Sequence, residues 1–316
     1  VGNFNYKRNL CNKDSALQFA ENILELEGGD AEEAAYKIKK AEMLLDKTKN
    51  ESSINNPNER VEAYKSDANR KKLHKQIIQE LFTLPRLDND EEICLGKNGG
   101  GALPINGCVK SERNAYIITG LPASGKSTFS SRIADKYGAI IIDCDYAKRK
   151  LPEFSEIDAE YATNFVHEES SEIVMGAGNI NSLIAQSYRN EYNMIIPKIG
   201  YNAESIYKFA KFLNIDCGYK VHLLLVSLDR KQATQRAYER YKKTKRYVPL
   251  SLIFDSYAND TILTYYRLRT NTKYSKAFKS FGKISTDVEI MEVPKYIHST
   301  QHSPIKNQNS IIELYQ

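Results

Sequence analysis

Residues 120–128 read GLPASGKST, and no other stretch restricts the fold of this chain so severely. Gly120, Gly125, Lys126 and Ser127 meet the spacing G-x-x-x-x-G-K-[ST]. An anion of triphosphate size needs many donors converging on one point. Glycine allows positive φ, so that successive N–H groups turn inward, and a helix starting directly behind the loop adds the positive end of its dipole. The motif therefore has meaning only between a strand and a helix. Before it, AYIIT at 115–119 is a short apolar run rich in β-branched residues; after it, residues 126–137 carry Phe129, Ile133 and Ala134 on one helix face. Gly120, Leu121, Pro122, Ala123, Ser124, Gly125, Lys126, Ser127 and Thr128 are thus expected to wrap ATP or GTP. Lys126 would reach the β- and γ-phosphates and Ser127 would hold Mg²⁺.

Further strands are expected at 139–143, 193–197 and 221–227, with helices at 158–187, 203–213, 230–243 and about 250–268. Short apolar strands alternating with helices predict an α/β fold: the three-layer α/β/α sandwich of a P-loop NTPase, built on a parallel sheet with ligand outside the carboxyl ends of the strands. An N-terminal helical region precedes it. Residues 14–47 predict an αα-hairpin broken at Gly28-Gly29-Asp30, with Asp30 capping the second helix. An Asn-rich linker (50–58) and a helix at 59–83 follow, and two extended pieces around Gly99-Gly100-Gly101 predict a hairpin within 86–112.

Composition narrows the class further. No run approaches the roughly 18 apolar residues of a membrane span, and the N-terminus VGNFNYKRNL, which lacks an initiator Met, has no hydrophobic signal core. Cys11, Cys94, Cys108, Cys144 and Cys217 show neither CxxC nor zinc spacing, which fits a reducing, cytoplasmic setting. Cys94 and Cys108 flank the glycine-rich loop, and only geometry decides whether they meet. Of the net charge of +5, much is local: Arg230, Lys231, Arg236, Arg240, Lys242, Lys243, Lys245 and Arg246 face only Asp229 and Glu239 between 229 and 246. A solvated helix face accounts for most of the lysines; one or two arginines are expected to reach a phosphate.

A phosphate loop alone leaves kinase, hydrolase and switch open. IIIDCD at 140–145 ends the second strand with two carboxylates at the sheet edge that faces the nucleotide. A phosphotransferase needs such a group beside the acceptor hydroxyl. Asp143 and Asp145 serve one cleft if the strand persists through them; the alternative is a capping or turn aspartate.

GLPASGKST followed by IIIDCDYAKRKLPEF resembles the zeta-toxin family of P-loop kinases. The resemblance implies that Asp145 is the base and that Lys148 holds the basic position. It sets Leu151-Pro152-Glu153-Phe154 on the family's His-Pro-Asn-Phe-like turn, with Leu151 in place of the His. FVHEESS at 165–171 is similar to a His-Glu-containing stretch of the family. Glu168 and Glu172, on one helix face, are candidates for substrate contact and equally for plain surface acids, while His167 is expected to pack or cap. The third strand departs from the pattern: Pro197 stands in place of the Glu of Glu-Gly-Thr, so the acceptor site differs, and Lys198 becomes a candidate contact for an anionic substrate. Glu239-Arg240-Tyr241 matches the helix that supplies a phosphate-directed arginine, Arg246 falls on a second, and Arg236 lies one turn before Arg240.

The likeness spans roughly 115–270. It implies a toxin- or effector-type kinase that moves the γ-phosphate of ATP or GTP, with Mg²⁺, to a hydroxyl of a small nucleotide-like acceptor such as a UDP-sugar or NAD. An antitoxin or other protein would sit on the N-terminal helices. Two other readings stand beside it. A polynucleotide 5′-kinase is allowed by the basic helix, but no further aromatic-and-basic stripe supports nucleic acid as a partner. A nucleotide-binding interaction module without turnover is motivated by Pro197. The expected organisation is a helical hairpin (1–57), a helix and glycine-rich hairpin (58–112), the kinase-like P-loop domain (113–285) and an irregular tail (286–316).

Overall fold

Segments that are apolar on both faces can only be strands if both faces are covered, and the strands of this chain are of that kind. The computed structural model describes residues 7–156, 159–176, 181–289 and 292–316. Its strands are β1 (Asn114–Thr119), β2 (Ala139–Ile141), β3 (Asn193–Lys198), β4 (Lys220–Ser227), β5 (Ser280–Ser285) and β6 (Lys295–Ser299), in the order β2-β3-β1-β4-β5-β6. All neighbours pair in parallel except β6, which runs antiparallel to β5. Ala115 pairs with Met194 on one side and Val221 on the other, so β1 lies inside the sheet. The phosphate loop therefore leaves the sheet between the ends of β3 and β4, where a crevice opens.

The helices that matter for the site are α1 (Lys13–Asn22), α2 (Gly28–Lys47), α3 (Asp67–Thr83), α4 (Lys126–Tyr137) and α5 (Cys144–Lys150); later helices are named by their residues. The sheet, α3 and α4 share the main core. A second apolar cluster joins α1 and α2 to Leu121 of the phosphate loop, to Ala233, Ala237, Tyr238 and Tyr241 of the helix Arg230–Thr244, and to Tyr247 and Leu250 beyond it. Polar contacts hold the same seam. Lys231 pairs with Glu25 at 2.5 Å, and buried Tyr247 donates to Glu42 at 2.8 Å. The N-terminal hairpin is thus a brace for the helix that carries Arg236 and Arg240.

Several expected elements differ. β2 stops at Ile141, and Asp143 leaves the strand to cap α5, accepting from the Asp145 N–H at 2.9 Å. The capping preference of Asp wins over strand continuation. The helix expected over 158–187 is instead Ala159–Phe165, His167–Met175 and Leu183–Arg189, with Val166 off helical geometry at ψ 4°; residues 157–158 and 177–180 lie outside the described residues. α2 begins at Gly28, which places Asp30 in its first turn rather than at its cap. Residues 50–58 are no free linker, because Ser52 and Ser53 are buried. The helix of 59–83 starts at Asp67, after two short 3₁₀ turns, under a Ser66 cap.

No hairpin forms in 86–112; the segment has 3₁₀ turns and one isolated bridge, Pro85 to Leu103. Its glycines serve close approach: a Cβ on Gly101 would lie 2.3 Å from the Leu84 carbonyl oxygen at the end of α3. Beyond Ser251 comes a π-turn (Leu252–Tyr257) and then the helix Asp260–Thr270. The tail is not irregular. It supplies β6 and a helix, Gln308–Tyr315, opened by a capping box between Asn307 and Ser310. Cys94 and Cys108 are exposed and unpaired. No helix among the described residues is long and apolar enough to cross a membrane.

One buried charge cluster ties the segment before the sheet to the helices beside it. Arg70 donates to Glu153 at 2.8 and 2.9 Å and to Glu169 at 2.5 and 2.6 Å. Glu153 also accepts from the Val61 N–H, and Glu169 from Ser53. Removing the guanidinium strands two buried carboxylates. Arg70→Met is therefore expected to lower stability by about 3–5 kcal/mol, read as a reduced urea midpoint. An unchanged midpoint would show that the remaining partners, Val61, Ser53 and His74, suffice for the two carboxylates.

Candidate active site

The phosphate loop is shaped by close contacts. A Cβ on Gly120 would meet the Val226 carbonyl oxygen at 2.6 Å and Ser124 Oγ at 2.7 Å, so only glycine fits where β1 passes β4. Gly125, at φ +84°, starts α4 from the left-handed region. Thr286, just after β5, donates to the Ser124 carbonyl at 2.8 Å and ties the loop to the far side of the sheet. Lys126 Nζ donates to the carbonyls of Gly120 (2.8 Å) and Leu121 (2.6 Å). Burial lowers its pKa to about 7, against the pull of Asp143.

A cleft of about 980 Å³ opens over this loop. Pro122, Ala123, Gly125, Lys126 and Ser127 line it, and so do Asp143, Asp145, Lys198, Arg236 and Arg240. The structure brings these residues, all named from the sequence, to one cleft, while Lys148 and Arg246 do not line it. His167, expected to pack or cap, lines the cleft as well. Gly120, Ser124 and Thr128 do not line it, and Leu121 turns into the N-terminal core. Glu168 and Glu172 are exposed on the helix His167–Met175 and stay outside the cleft; Glu172 borders a separate cavity with Arg70 and His74. The acid that this helix turns inward is Glu169, which Arg70 already holds.

Asp145 sits in the first turn of α5, where Lys148 reaches it at 3.0 Å and Arg246 at 3.2 Å. Burial alone would raise its pKa, but the charges of Lys148 and Arg246 outweigh that and hold the carboxyl well below the ordinary range. Asp143 goes the other way: burial and then the Asp145 charge push it up to about 6. Lys148 and Arg246 are buried behind Asp145 and act on the cleft through it.

Two residues escaped the sequence reading. Glu91 binds Arg246 at 2.7 Å and Arg149 at 3.1 Å, placing a second carboxylate in the arginine cluster. Its segment, DNDEE at 88–92, carries no motif, and Arg149 beside Lys148 offered no partner that spacing could name. The Nε–H groups of Arg149, Arg240 and Arg246 are buried with no hydrogen-bond partner among the described residues. Of the three, Arg240 lines the cleft, where a spare donor suits a ligand of high negative charge. Ser127, Asp143 and Asp145 offer hard oxygen donors in the same cleft, which fits Mg²⁺.

The zeta-toxin family profile matches residues 107–264. The chain belongs to the zeta-toxin family. It is accordingly a P-loop phosphotransferase of the toxin class. No curated protein matches the chain. Among solved structures, the PezAT chromosomal toxin–antitoxin system of Streptococcus pneumoniae shares the fold at 15% identity and TM-score 0.52, covering 79% of this chain and 88% of that one. Two AvrRxo1-ORF1:ORF2 complexes are more distant. The one with ATP has 15% identity, TM-score 0.46 and coverage of 87% and 73%. The one with sulphate ions has 17% identity, TM-score 0.44 and coverage of 73% and 67%. The zeta-toxin segment contains the phosphate loop, Asp145, Arg240 and Arg246, but not Glu91 or the N-terminal brace.

A bound phosphate holds Lys126 protonated, whereas burial lowers the pKa of the free side chain to about 7. Nucleotide binding at about pH 8, above that value, should therefore take up protons. Calorimetry in buffers of different ionisation enthalpy is expected to show this uptake, and Lys126→Arg, charged throughout, should lose most of it. Equal uptake in both proteins would assign the proton elsewhere.

Proposed function

We propose that this chain transfers the γ-phosphate of ATP or GTP, with Mg²⁺, to a hydroxyl of a small nucleotide-like acceptor such as a UDP-sugar or NAD. The observation that carries the reading is Asp145, ion-paired with Lys148 and Arg246, in the same cleft as Lys126 and Arg240. The loop amides and Lys126 bind the β- and γ-phosphates. Ser127 would hold Mg²⁺, which would offset the negative charge of the donor. Asp145 accepts the hydrogen bond of the acceptor hydroxyl and aims its oxygen at the γ-phosphorus. Phosphoryl transfer through a loose transition state asks more for this orientation than for early proton removal, so a low carboxyl pKa is no handicap; the proton passes to Asp145 late.

Arg240, which lines the cleft, neutralises the transferring group, and its spare Nε–H donor supports that role, while Arg246 acts through Asp145. Asp143 fixes the start of α5, and Lys198 faces an anionic part of the acceptor. The toxin–antitoxin setting of the pneumococcal structure supports an antitoxin partner here too. The exposed Tyr36 and Met43 of α2 are the surface we assign to it. Five free cysteines and a nucleotide donor fit the cytoplasm.

The test is transfer from labelled ATP and GTP into UDP-sugars, NAD, nucleosides and 5′-hydroxyl oligonucleotides. Asp145→Asn should reduce turnover by about 10²–10⁴ while nucleotide still binds, and Lys126→Ala should abolish both. Full turnover in Asp145→Asn would remove Asp145 from the mechanism. Labelling of the oligonucleotide alone would replace the small acceptor with a nucleic acid.

A further inference from the structure

The acceptor side of the cleft carries an aromatic pair that the phosphate chemistry does not use. Tyr201 lines the cleft and is 44% exposed, and Tyr257 lies against it, ring centroids 5.2 Å apart and planes inclined by 33°. We infer that Tyr201 and Tyr257 form a stacking shelf for a planar heteroaromatic ring of the acceptor. The inference rests on the phosphotransferase reading and narrows it to acceptors that carry such a ring.

Both rings are held by backbone that admits few alternatives. Tyr201 follows Gly200, whose φ is +76° and whose Cβ, if present, would lie 2.6 Å from Thr119 Cγ2. Tyr257 ends the π-turn Leu252–Tyr257, and the next residue, Ala258, takes φ +39° and ψ −117°, a region that L-residues avoid. Such strain persists only where surrounding structure enforces it, and it gathers at functional sites. Here the enforcement comes from the N-terminal hairpin. Phe254 meets Phe19 edge-on at 6.1 Å, and Arg8 pairs with Asp255 at 3.3 Å, so two neighbours of Tyr257 in the turn are pinned.

Topology assigns the shelf to the acceptor rather than to the donor phosphates. Tyr201 follows β3, and β3 lies between β1, which leads into the phosphate loop, and β2, which leads to Asp143 and Asp145. Tyr201 therefore stands on the carboxylate side of the loop, and Tyr257, from the connection between β4 and β5, backs it. Lys198, at the end of β3, lines the same side with a positive charge for a phosphate attached to the ring-bearing group. Asn202, next to Tyr201, spends its side-chain oxygen on capping the following helix, accepting from the Ser205 N–H at 2.9 Å. Stacking on a π-face tolerates different rings, which is why pyrimidine and nicotinamide both remain in class.

The full chain, loaded with Mg²⁺ and a non-hydrolysable ATP analogue, would be titrated calorimetrically with UDP, nicotinamide mononucleotide and ribose 5-phosphate. At least one ring-bearing probe should bind about tenfold more tightly than ribose 5-phosphate. Tyr201→Ala should erase that preference while leaving analogue binding and ribose 5-phosphate affinity unchanged, and Tyr201→Phe should keep it. A preference that survives Tyr201→Ala, or a wild type indifferent to the ring, overturns the shelf alone. Failure of the wild type to bind the ATP analogue would sink the phosphotransferase reading and the shelf with it.

Discussion

The ion pair between Asp145 and Arg246 joins the two sides of the cleft. One partner comes from the helix after β2, the other from the segment after the helix that follows β4. Each solves a problem for the other. A carboxylate so near a triphosphate would be driven to protonate unless cations stood behind it, and three clustered arginines would repel one another unless acids stood among them. Asp145 and Glu91 supply two negative charges to Arg149, Arg240, Arg246 and Lys148. The surplus is positive, and it faces the place where phosphate charge would arrive.

That arrangement depends on parts of the chain far from the phosphate loop. Glu91 lies on the segment ahead of β1, and the hairpin of α1 and α2 buries its apolar face on the helix bearing Arg240. The region before the sheet therefore contributes both charge and support to the cleft. The zeta-toxin likeness, which begins at residue 107, does not extend to it.

What could be read from the sequence was local chemistry. GLPASGKST requires a strand, a loop and a helix whatever surrounds them, and the apolar runs of β1, β3 and β4 admit only a covered sheet. The arginine helix was legible because its spacing matched a family pattern. Less legible was anything decided by a distant partner. Glu169, not Glu168 or Glu172, faces inward, and only the position of Arg70 determines which. Asp143 carries equal credentials for strand end and helix cap, and the turn into α5 chose the second. The polar tail hid β6 and its helix because edge strands are short and half exposed, so their pattern is weak.

The placement of β6 has a meaning outside catalysis. β5 runs beside β4 and presents Phe281 and Ile284 along its length; without β6 its other side would be a row of unpaired backbone groups. Such an open edge recruits strands from other molecules. β6 closes it with a five-residue antiparallel strand whose pairing slips between Lys283 and Ile284, a kinked border that is a poor template for another strand. A chain cut after residue 285 would lose this border, and with it Thr286, which donates to Ser124 of the phosphate loop, the carbonyls that hold Arg236, and the core side chains Ile305, Ile311 and Leu314. The residues past β5 therefore prop the cleft as well as close the sheet.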